Sequence, residues 1–509
     1  VLCGVKKEKP RAKLTHMVRL SLRSARPQRY RARSRGTQPR GITLAPPPPA
    51  PAAPMESSSS PAPPPPPTGG DPSEDGAASE LPRLTVTQVE QMKVEARVGD
   101  IYRVFFDAPP STKSVMLELW RDQHVEYLTK GLRHLAPSFH VLDANRPWLC
   151  YWMVHGLALL DETLDDDLEN DIVDFLSRCQ DKHGGYGGGP GQLPHLATSY
   201  AAVNTLVTIG SERALSSIKR DNLYKFMLQM KDKSGAFRMH NGGEIDVRAC
   251  YTAISVASLL NILDADLAKG VGDYIASCQT YEGGIAGEPY AEAHGGYTYC
   301  GLAAMVLLNE VEKLDLPSLI GWVAFRQGVE CGFQGRTNKL VDGCYSFWQG
   351  AAIALAQKLM TVVDEQSKPS YSSKLPSVDD ACGTSSSALA SEKSSSVYYA
   401  KFGFDFVKQS NQIGPLFHNI ALQQYILLCA QVLEGGLRDK PGKNRDHYHS
   451  CYCLSGLSVS QHSAMTGSDS CPLPQHMLGP YSNLLEPIHP LYNVVLDKYD
   501  DAHEFFSGE

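Results

Sequence analysis

The sequence predicts an all-α protein, an α-α barrel (toroid) in which six inner helices are surrounded by six outer helices. A short glycine-containing block recurs along the chain, and an amphipathic helical segment precedes each copy while a mostly apolar helical segment follows it. Helix pairs that repeat in this way normally stack into a solenoid. Helices that are apolar on most sides must be buried, which favours closure into a barrel over the alternative, an open superhelix.

The repeated block ends in two small residues followed by an apolar or aromatic residue. Its copies begin at intervals of 51, 48, 48 and 104 residues. The glycine pairs suit tight turns between an outer and an inner helix, because glycine tolerates positive φ. The five copies begin at Gln180, Lys231, Gln279, Gln327 and Gln431.

Inner helices follow the blocks in a fixed register. A residue that is aromatic in most repeats lies 15 positions after the second small residue of each block, and one further copy of this position precedes the first block. Helices around these positions are rich in Ala, Leu, Tyr and Cys and carry few charges, so they should form the buried layer. The six repeating positions are Tyr151, Tyr200, Tyr251, Tyr299, Phe347 and Cys451.

Segments outside the repeats differ in composition. Residues 1–82 hold Pro, Ser and Ala without periodic apolar residues, which predicts disorder. Residues 83–509 should form the barrel, interrupted at about 363–397 by a Ser-rich insertion that we expect to be disordered and that explains the longest interval. Met55 opens a new composition, so we expect 1–54 to lie upstream of the native start; a transit peptide is the alternative, because the segment is Arg-rich and acid-poor.

Charge and cysteine usage narrow the functional class. Residues 1–54 hold 13 Lys or Arg and one acid, which leaves 35 basic and 54 acidic residues, a net charge of −19, in 55–509. Such an acidic body argues against a nucleic-acid partner. Thirteen scattered cysteines with no secretory signal fit a reducing compartment, and no apolar run is long enough to make an integral membrane protein. We therefore expect a cytoplasmic location.

Polar residues recur near the N-termini of the inner helices, so the register predicts that they converge at one end of the barrel, here called the rim. Acids at helix N-termini often serve as caps, and capping alone accounts for Asp246 and Asp446. Capping does not account for the neighbouring cysteine and histidines. The residues five positions before the repeating position are His195, Asp246, His294, Asp342 and Asp446.

Asp342, Cys344 and His449 form a candidate zinc site on this rim. Carboxylate, thiolate and imidazole are all normal zinc ligands, and three protein ligands leave the fourth position open. The register brings residues 107 positions apart to the same end of the barrel. Cys451 and Cys453 are rival ligands, and the alternative for a buried cysteine is simple packing.

Cationic and aromatic residues accompany this site. Arg336 and Lys339 precede the Asp-x-Cys segment, and His294 lies one repeat earlier. Because helix N-termini add partial positive charge, this group suits a diphosphate; a solvated basic loop is the alternative. In a closed barrel the helix-spaced aromatic side chains would line a deep apolar cavity with a charged rim, whereas in a solid core they would only pack.

Six long segments resemble the β subunits of protein farnesyltransferases, several of them in a plant-like form. The resemblance covers about 83–362 and 398–509 and implies a barrel built from prenyltransferase repeats. Cys331, Ala286 and Tyr290 depart from it, since relatives usually carry glycine at these loop positions. The segments are 146–152, 187–192, 292–301, 332–336, 338–349 and 448–456.

The resemblance implies a catalytic subunit that transfers a farnesyl group from farnesyl diphosphate to the thiol of a C-terminal Cys-a-a-X motif through a zinc-bound thiolate. It implies one Zn²⁺ per subunit, held by Asp342, Cys344 and His449. It implies Mg²⁺ at Asp439, bound together with the diphosphate. An α subunit would complete a heterodimer and add groups to the active site.

Substrate contacts also follow from the resemblance. The residues that would bind the diphosphate are His294, Arg336, Lys339 and Tyr345. Tyr345 would also be a catalytic residue. The isoprenoid would lie against Trp348, Tyr297, Arg248, Tyr251, Cys300 and Trp148, and the end of the acceptor would meet Trp148, Trp152, Ala197 and Tyr448.

Three alternatives compete with this function. A type I geranylgeranyltransferase β subunit is disfavoured because Trp148, Tyr251 and Tyr452 are bulky enough to stop a C15 chain and exclude a C20 chain. A terpene cyclase would carry an Asp-rich motif on an inner helix, yet Asp165–Asp167 precede an outer helix. A non-catalytic helical-repeat scaffold would bind no zinc.

Overall fold

The computed structural model describes residues 84–368, 396–409, 413–463 and 472–508. The predicted disorder of 1–82 falls outside these residues, as does most of the predicted insertion. Helix Met360–Gln366 spans the first residues assigned to that insertion, and helix Ser396–Lys408 begins within its last residues. Among the described residues, none of the helices combines the length and apolar character needed to cross a bilayer.

Six inner helices form a closed ring, which confirms the predicted barrel. Each inner helix contacts the next one along the chain, and the sixth packs against the first. Nearly every residue of an inner helix is buried, as in the second, where twelve of the fourteen residues are inaccessible. The inner helices, first to sixth, are Arg146–Leu159, Leu196–Ile209, Val247–Leu259, Gly295–Leu308, Tyr345–Gln357 and His447–His462.

Six outer helices alternate with the inner ones along the chain and bury only one face. In the second, Leu168, Ile172 and Leu176 are buried one turn apart, while Asp171 and Asp174 between them are exposed. The amphipathic segment before the third block is interrupted at Gly270, whose φ of 73° separates the short helix Ala265–Ala268 from Val271–Ser277. The outer helices are Arg121–Arg133, Asp166–Cys179, Arg220–Met230, Val271–Ser277, Leu316–Ala324 and Asn419–Tyr425, the last continued by a π turn, Ile426–Ala430.

Further helices lie before, between and after the repeated helix pairs, and the repeat pattern does not predict them. Val86–Asp107 did carry a signal, because Thr85 and Gln88 form a capping box at its start. The remaining α-helices are Pro110–Met116, Glu212–Ser216, Ala265–Ala268 and Leu496–Ser507, and the 3-10 helices are Pro137–Asn145, Val311–Lys313, Pro474–His476 and Tyr481–Asn483.

Turns after the outer helices use the left-handed conformation that the glycine pairs predicted. Gly184 has a φ of 100°, and a Cβ there would lie 1.9 Å from the carbonyl oxygen of Asn222. Two of the departures from the family pattern adopt the conformation that glycine favours. Cys331 has a φ of 74° and Tyr290 a φ of 70°.

Three short antiparallel ribbons complete the structure, and the last one enters the barrel. They pair Tyr186–Gly187 with Pro194–His195, Leu437–Arg438 with Arg445–Asp446, and Ile488–His489 with Val494–Val495. The amide of Glu486, just before the last ribbon, donates to the carbonyl of Leu159, which ends the first inner helix, at a distance of 3.1 Å. This ribbon therefore lies at the end of the barrel opposite the rim.

The turn of that ribbon, residues 490–493, is here called the plug, and it is held by tyrosines at the repeating position. Four of the six repeating positions carry tyrosine, and each hydroxyl donates to a different backbone carbonyl of the plug. The acceptor moves back by one residue at each repeat. The bonds are Tyr151 to Asn493 at 2.6 Å, Tyr200 to Tyr492 at 2.9 Å, Tyr251 to Leu491 at 2.9 Å and Tyr299 to Pro490 at 2.9 Å. We call these four hydroxyl groups the tyrosine ladder.

Acid is expected to destabilise the barrel through its buried histidines. Burial lowers the pKa of His155 to about 4 and that of His489 to about 3, whereas an unfolded histidine titrates near pH ~6.5. A depressed pKa in the folded state means that stability is complete above pH ~6.5. As the pH falls from there toward ~4, each histidine lowers the free energy of unfolding by up to about 1.4 kcal/mol per pH unit.

Urea unfolding of the full chain at a series of pH values measures this loss. Carboxylates contribute to the same slope, so a His155→Gln variant serves as the matched comparison. Its free energy of unfolding should fall less steeply with acid than that of the parent protein between pH ~6.5 and ~4. Equal slopes would contradict the assignment of this histidine as a buried neutral group.

Candidate active site at the barrel rim

Asp342, Cys344 and His449 lie together on the rim. One ligand atom from each side chain lies within 4.8 Å of the other two. Within the described residues, these three side chains therefore form a group that could hold a metal ion. The Nε2 atom of His449 is 3.2 Å from Oδ1 of Asp342. Cys344 immediately precedes the fifth inner helix, and His449 lies in the first turn of the sixth, so packing of these two neighbouring helices brings the three side chains together.

Asp446 orients the imidazole of His449. Its Oδ1 atom accepts the backbone N–H of His449 at 2.7 Å and caps the sixth inner helix, while its Oδ2 atom accepts from Nδ1 of the same histidine at 2.7 Å. With Nδ1 occupied, Nε2 is the nitrogen directed toward Asp342 and Cys344. A carboxylate behind a ligating histidine is the usual support of a metal site. Capping alone therefore does not account for Asp446, and the spacing Asp-x-x-His is the sequence signal for its second contact.

The electrostatics of this group suit a cation at its centre. Burial by itself lowers the pKa of His449, but hydrogen bonds to Asp342 and Asp446 outweigh burial and raise it to about 9. Burial and the charge of Asp342 raise the pKa of the Cys344 thiol well above its usual range. A divalent cation among the three side chains would reverse that effect, because it stabilises thiolate and carboxylate alike.

The rival cysteines lie close by but outside this group. Cys451 and Cys453 are both fully buried in the sixth inner helix. The sulfur of Cys453 is 3.9 Å from the carbonyl oxygen of Arg438. Among the described residues, neither thiol belongs to the set suited to a metal ion.

His294 and Tyr345 meet on the neighbouring part of the rim. Nδ1 of His294 accepts the backbone N–H of Gly296 at 3.1 Å, which caps the fourth inner helix. The proton is therefore assigned to Nε2, which lies 2.9 Å from the hydroxyl oxygen of Tyr345 and donates to it. Burial also raises the pKa of Tyr345, so its hydroxyl keeps a proton that it can donate to an anion.

Arg336 and Lys339 stand beside this pair on the loop before the fifth inner helix. Arg336 is ion-paired with Glu292, and its side chain is 39% exposed. Lys339 lines a surface cavity of about 660 Å³ together with Glu292 and Asn338. Both cations are accessible to a ligand that arrives at the rim.

Asp439, in the last repeat, lies near the group formed by Asp342, Cys344 and His449. Its backbone carbonyl accepts the amide of Gly343 at 2.7 Å. Its carboxylate is ion-paired with the ammonium group of Lys440, which is buried. Burial and the charge of Asp342 raise the pKa of Asp439.

Aromatic side chains line the interior beneath the rim. Trp348 donates from Nε1 to the hydroxyl of Tyr448 at 3.2 Å, and its ring lies 4.5 Å from that of Tyr452. On the first inner helix, the rings of Trp148 and Trp152 are 5.8 Å apart. Trp152 also meets Tyr448 at 5.5 Å, so the two aromatic walls are continuous.

The remaining predicted contacts lie between these groups. The guanidinium of Arg248 is 5.6 Å from the ring centre of Tyr297 and is ion-paired with Asp246 at 2.5 Å. Cys300 is buried one turn further along the fourth inner helix. Ala197 is half-buried at the start of the second inner helix, where its amide donates to Nδ1 of His195 at 3.1 Å.

Comparison with known proteins identifies the family. The prenyltransferase alpha-alpha toroid domain model matches residues 119–494. A protein farnesyltransferase subunit beta from Pisum sativum is 58% identical over 447 residues, which are 85% of this chain and 99% of that relative. The chain belongs to the protein farnesyltransferase subunit beta family. The resemblance found in the sequence is thereby confirmed, and the chain is a prenyltransferase subunit.

Other relatives agree with this assignment. A farnesyltransferase subunit beta from Arabidopsis thaliana is 53% identical over 86% of this chain and 93% of that relative. A geranylgeranyl transferase type-1 subunit beta from the same plant is only 29% identical, over 49% of this chain and 75% of that relative, which favours the farnesyl class. The structure of Candida albicans protein geranylgeranyltransferase-I shares the fold, with a TM-score of 0.54 at 19% identity over 76% of this chain and 99% of that one.

Replacing Cys344 by alanine is expected to abolish tight zinc binding, because it removes the thiolate from a three-ligand set. The purified parent protein should hold one zinc ion per chain, measured by elemental analysis after dialysis, and the variant nearly none. Cys451→Ala is the matched control, since that thiol is equally buried but lies outside the group. Zinc retained in Cys344→Ala, or lost in Cys451→Ala, would contradict the assignment.

Proposed function

We propose that this chain is the catalytic β subunit of a zinc-dependent protein farnesyltransferase, which transfers a farnesyl group from farnesyl diphosphate to the cysteine thiol of a C-terminal Cys-a-a-X motif. The observation that carries the proposal is the position of the Asp342, Cys344 and His449 group. It lies at the rim beside His294 and Arg336, and the aromatic side chains of the barrel interior lie next to it. A thiol acceptor, an apolar donor chain and a diphosphate leaving group each have a matching surface there.

The metal group has the chemistry of a zinc site. It offers one oxygen, one sulfur and one nitrogen, a set that zinc accepts, and leaves one position for the acceptor. When bound, Zn²⁺ would supply the charge that favours the thiolate form of the acceptor at neutral pH. Asp446 keeps the ring of His449 in the ligating orientation.

Residues of the rim would bind the diphosphate and stabilise the charge that grows on it. His294 donates to the hydroxyl oxygen of Tyr345, so the hydroxyl proton remains available to bind the diphosphate. Arg336 and Lys339 supply positive charge. Hydrogen-bond donors fixed in place before the reaction stabilise a leaving group without further reorganisation. Asp439 is the residue proposed to hold Mg²⁺ with the diphosphate, once that ion replaces Lys440 as its partner.

The aromatic cavity would hold the farnesyl chain and the end of the acceptor. Trp348, Tyr251 and Trp148 offer apolar surface for the isoprenoid, together with Tyr297, Arg248 and Cys300. The acceptor terminus would lie between the walls formed by Trp148, Trp152, Ala197 and Tyr448. A pocket of this kind orients an extended apolar chain with few polar contacts.

A partner subunit and a compartment complete the proposal. The family name designates a β subunit, so we propose a heterodimer with an α subunit that adds groups to this site. The cysteines in the described ranges are all free thiols, in keeping with a reducing, cytoplasmic location.

Co-expression with an α subunit tests the function directly. The heterodimer should transfer a C15 chain from farnesyl diphosphate to a Cys-a-a-X peptide, and a peptide with Ser in place of Cys should accept none. Mass spectrometry of the peptide gives the size of the added group. Better use of geranylgeranyl diphosphate than of farnesyl diphosphate would reverse the assignment of the donor.

Trp148→Thr is expected to admit the longer donor, because it removes a bulky ring from the cavity wall next to Tyr200. Five additional carbons represent a large burial energy at about 0.8 kcal/mol per CH₂. The ratio of kcat/KM for the C20 donor to that for the C15 donor should therefore rise at least about tenfold. Trp148→Phe keeps an aromatic ring in place and should leave the ratio near the parent value; equal ratios in both variants would refute the role of this side chain.

A further inference from the structure

Two cysteines from different repeats belong to one small apolar cluster outside the barrel interior. Cys331 lies in the turn of the fourth block, and Cys429 lies in the π turn that continues the last outer helix. Val98 and Tyr102 of the helix Val86–Asp107 belong to the same cluster. The sequence separates the two cysteines by 98 positions, so only the fold brings them to one place.

Backbone packing brings the two turns into contact. Gly332 lies so close to the last outer helix that a Cβ there would be 3.0 Å from the ring of Tyr425. Cys331 directly precedes this glycine, and Cys429 follows Tyr425 by about one turn of helix. The two cysteines therefore lie on backbone segments that face each other.

The hydroxyl of Tyr102 is a hydrogen-bond partner of both thiols. It donates to the backbone carbonyl of Glu330 at 2.8 Å, which holds it beside Cys331. Burial raises the pKa of both thiols, to about 12 for Cys429, and hydrogen bonds with this hydroxyl partly oppose the rise. The charge of Cys331 also raises the pKa of Cys429. Thiols that share one partner and respond to each other's charge are close neighbours.

The two thiols differ in accessibility. Cys331 is partly exposed, whereas Cys429 is buried. Cys331 lines a surface groove of about 770 Å³ together with Gln327 and Phe417. A small molecule in solution therefore reaches Cys331 first, and Cys429 lies behind it as a second thiol. An accessible cysteine next to a resolving cysteine is the usual arrangement of a redox-sensing pair.

We propose that Cys331 and Cys429 form a thiol–disulfide exchange site whose oxidant is a low-molecular-weight disulfide. The thiolate of Cys331 attacks one sulfur of the oxidant, forms a mixed disulfide and releases the first small thiol. The thiolate of Cys429 then attacks the sulfur of Cys331 and releases the second small thiol. Two electrons and two protons thus pass from the cysteine pair to the oxidant. Reversible links of this kind are the usual form of disulfides in a reducing compartment.

The link would fasten two segments that lead into the candidate metal site. On one side, the carbonyl of Phe333 accepts the amide of Asp342 at 3.0 Å. On the other side, the carbonyl of Cys429 accepts from Nε of Arg438 at 3.1 Å, and Arg438 directly precedes Asp439. Closing the link would therefore restrict the backbone on both sides of the rim.

Peptide mapping after oxidation tests the site. The full chain, co-expressed with an α subunit, is incubated with glutathione disulfide under native conditions, digested and analysed by mass spectrometry without reduction. A peptide pair that joins Cys331 to Cys429 is expected, and dithiothreitol should remove it. The absence of this pair, or its formation only in urea, would overturn the proposal, because the folded chain would not then bring the thiols together.

Cys331→Gly removes the accessible thiol while the fold is kept, because glycine favours the φ of 74° that Cys331 adopts. Cys429 should stay a free thiol in this variant under the same treatment. Cys179→Ala is the matched control, since that thiol is buried at the end of an outer helix but lies outside the cluster. Loss of the link in Cys179→Ala, or oxidation of Cys429 in Cys331→Gly, would contradict the assigned pair.

Hydrogen exchange measures the effect on the rim. The amides of residues 333–342 should exchange more slowly in the oxidised chain than in the reduced chain, because the link opposes local opening. Unchanged exchange in a chain that carries the link would overturn the coupling to the rim. These measurements do not depend on prenyl transfer, so the site and the proposed function stand or fail separately.

Discussion

A row of hydrogen bonds from four inner helices to four consecutive carbonyls of the plug holds the centre of the barrel. Backbone carbonyls of a strand turn cannot be left unpaired in an apolar interior, and the hydroxyls of Tyr151, Tyr200, Tyr251 and Tyr299 satisfy them. The bonds require a tyrosine at the same repeating position in each of the first four inner helices. The near-constant repeat period is therefore a geometric requirement of the interior as well as of the ring.

At the rim, side chains that cap the inner helices also orient the residues of the candidate active site. His294 caps its helix through Nδ1, which leaves Nε2 to hold the hydroxyl of Tyr345. Asp446 caps the sixth inner helix with one oxygen and orients His449 with the other. Because the inner helices all begin at the same end, the polar caps of the second, third, fourth and sixth inner helices gather in one place. A ring of helices therefore produces a cluster of polar and ligating groups as a consequence of its connectivity.

Much of this arrangement could be predicted from the sequence, because the repeat period determines which residues lie at the same end of the barrel. The repeat register places Asp342, Cys344 and His449 at one rim, and the structure brings them together. The plug could not be predicted, since residues 490–493 show no repeat and bind through backbone atoms that any sequence possesses. The second function of Asp446 was missed because capping already explained it. The helix Val86–Asp107 lies outside the periodic signal altogether.

The position of the plug near the end of the chain has a consequence for biosynthesis. A ribosome that has released the sixth inner helix has yet to supply residues 488–495, so the nascent ring is hollow and its tyrosine hydroxyls lack their acceptors. The interior becomes complete only when the last segment threads into it. A chain shortened by a premature stop after the sixth inner helix would keep every candidate ligand of the rim but would lack the ribbon that closes the other end of the barrel. Cellular quality control would encounter it as an incompletely folded protein.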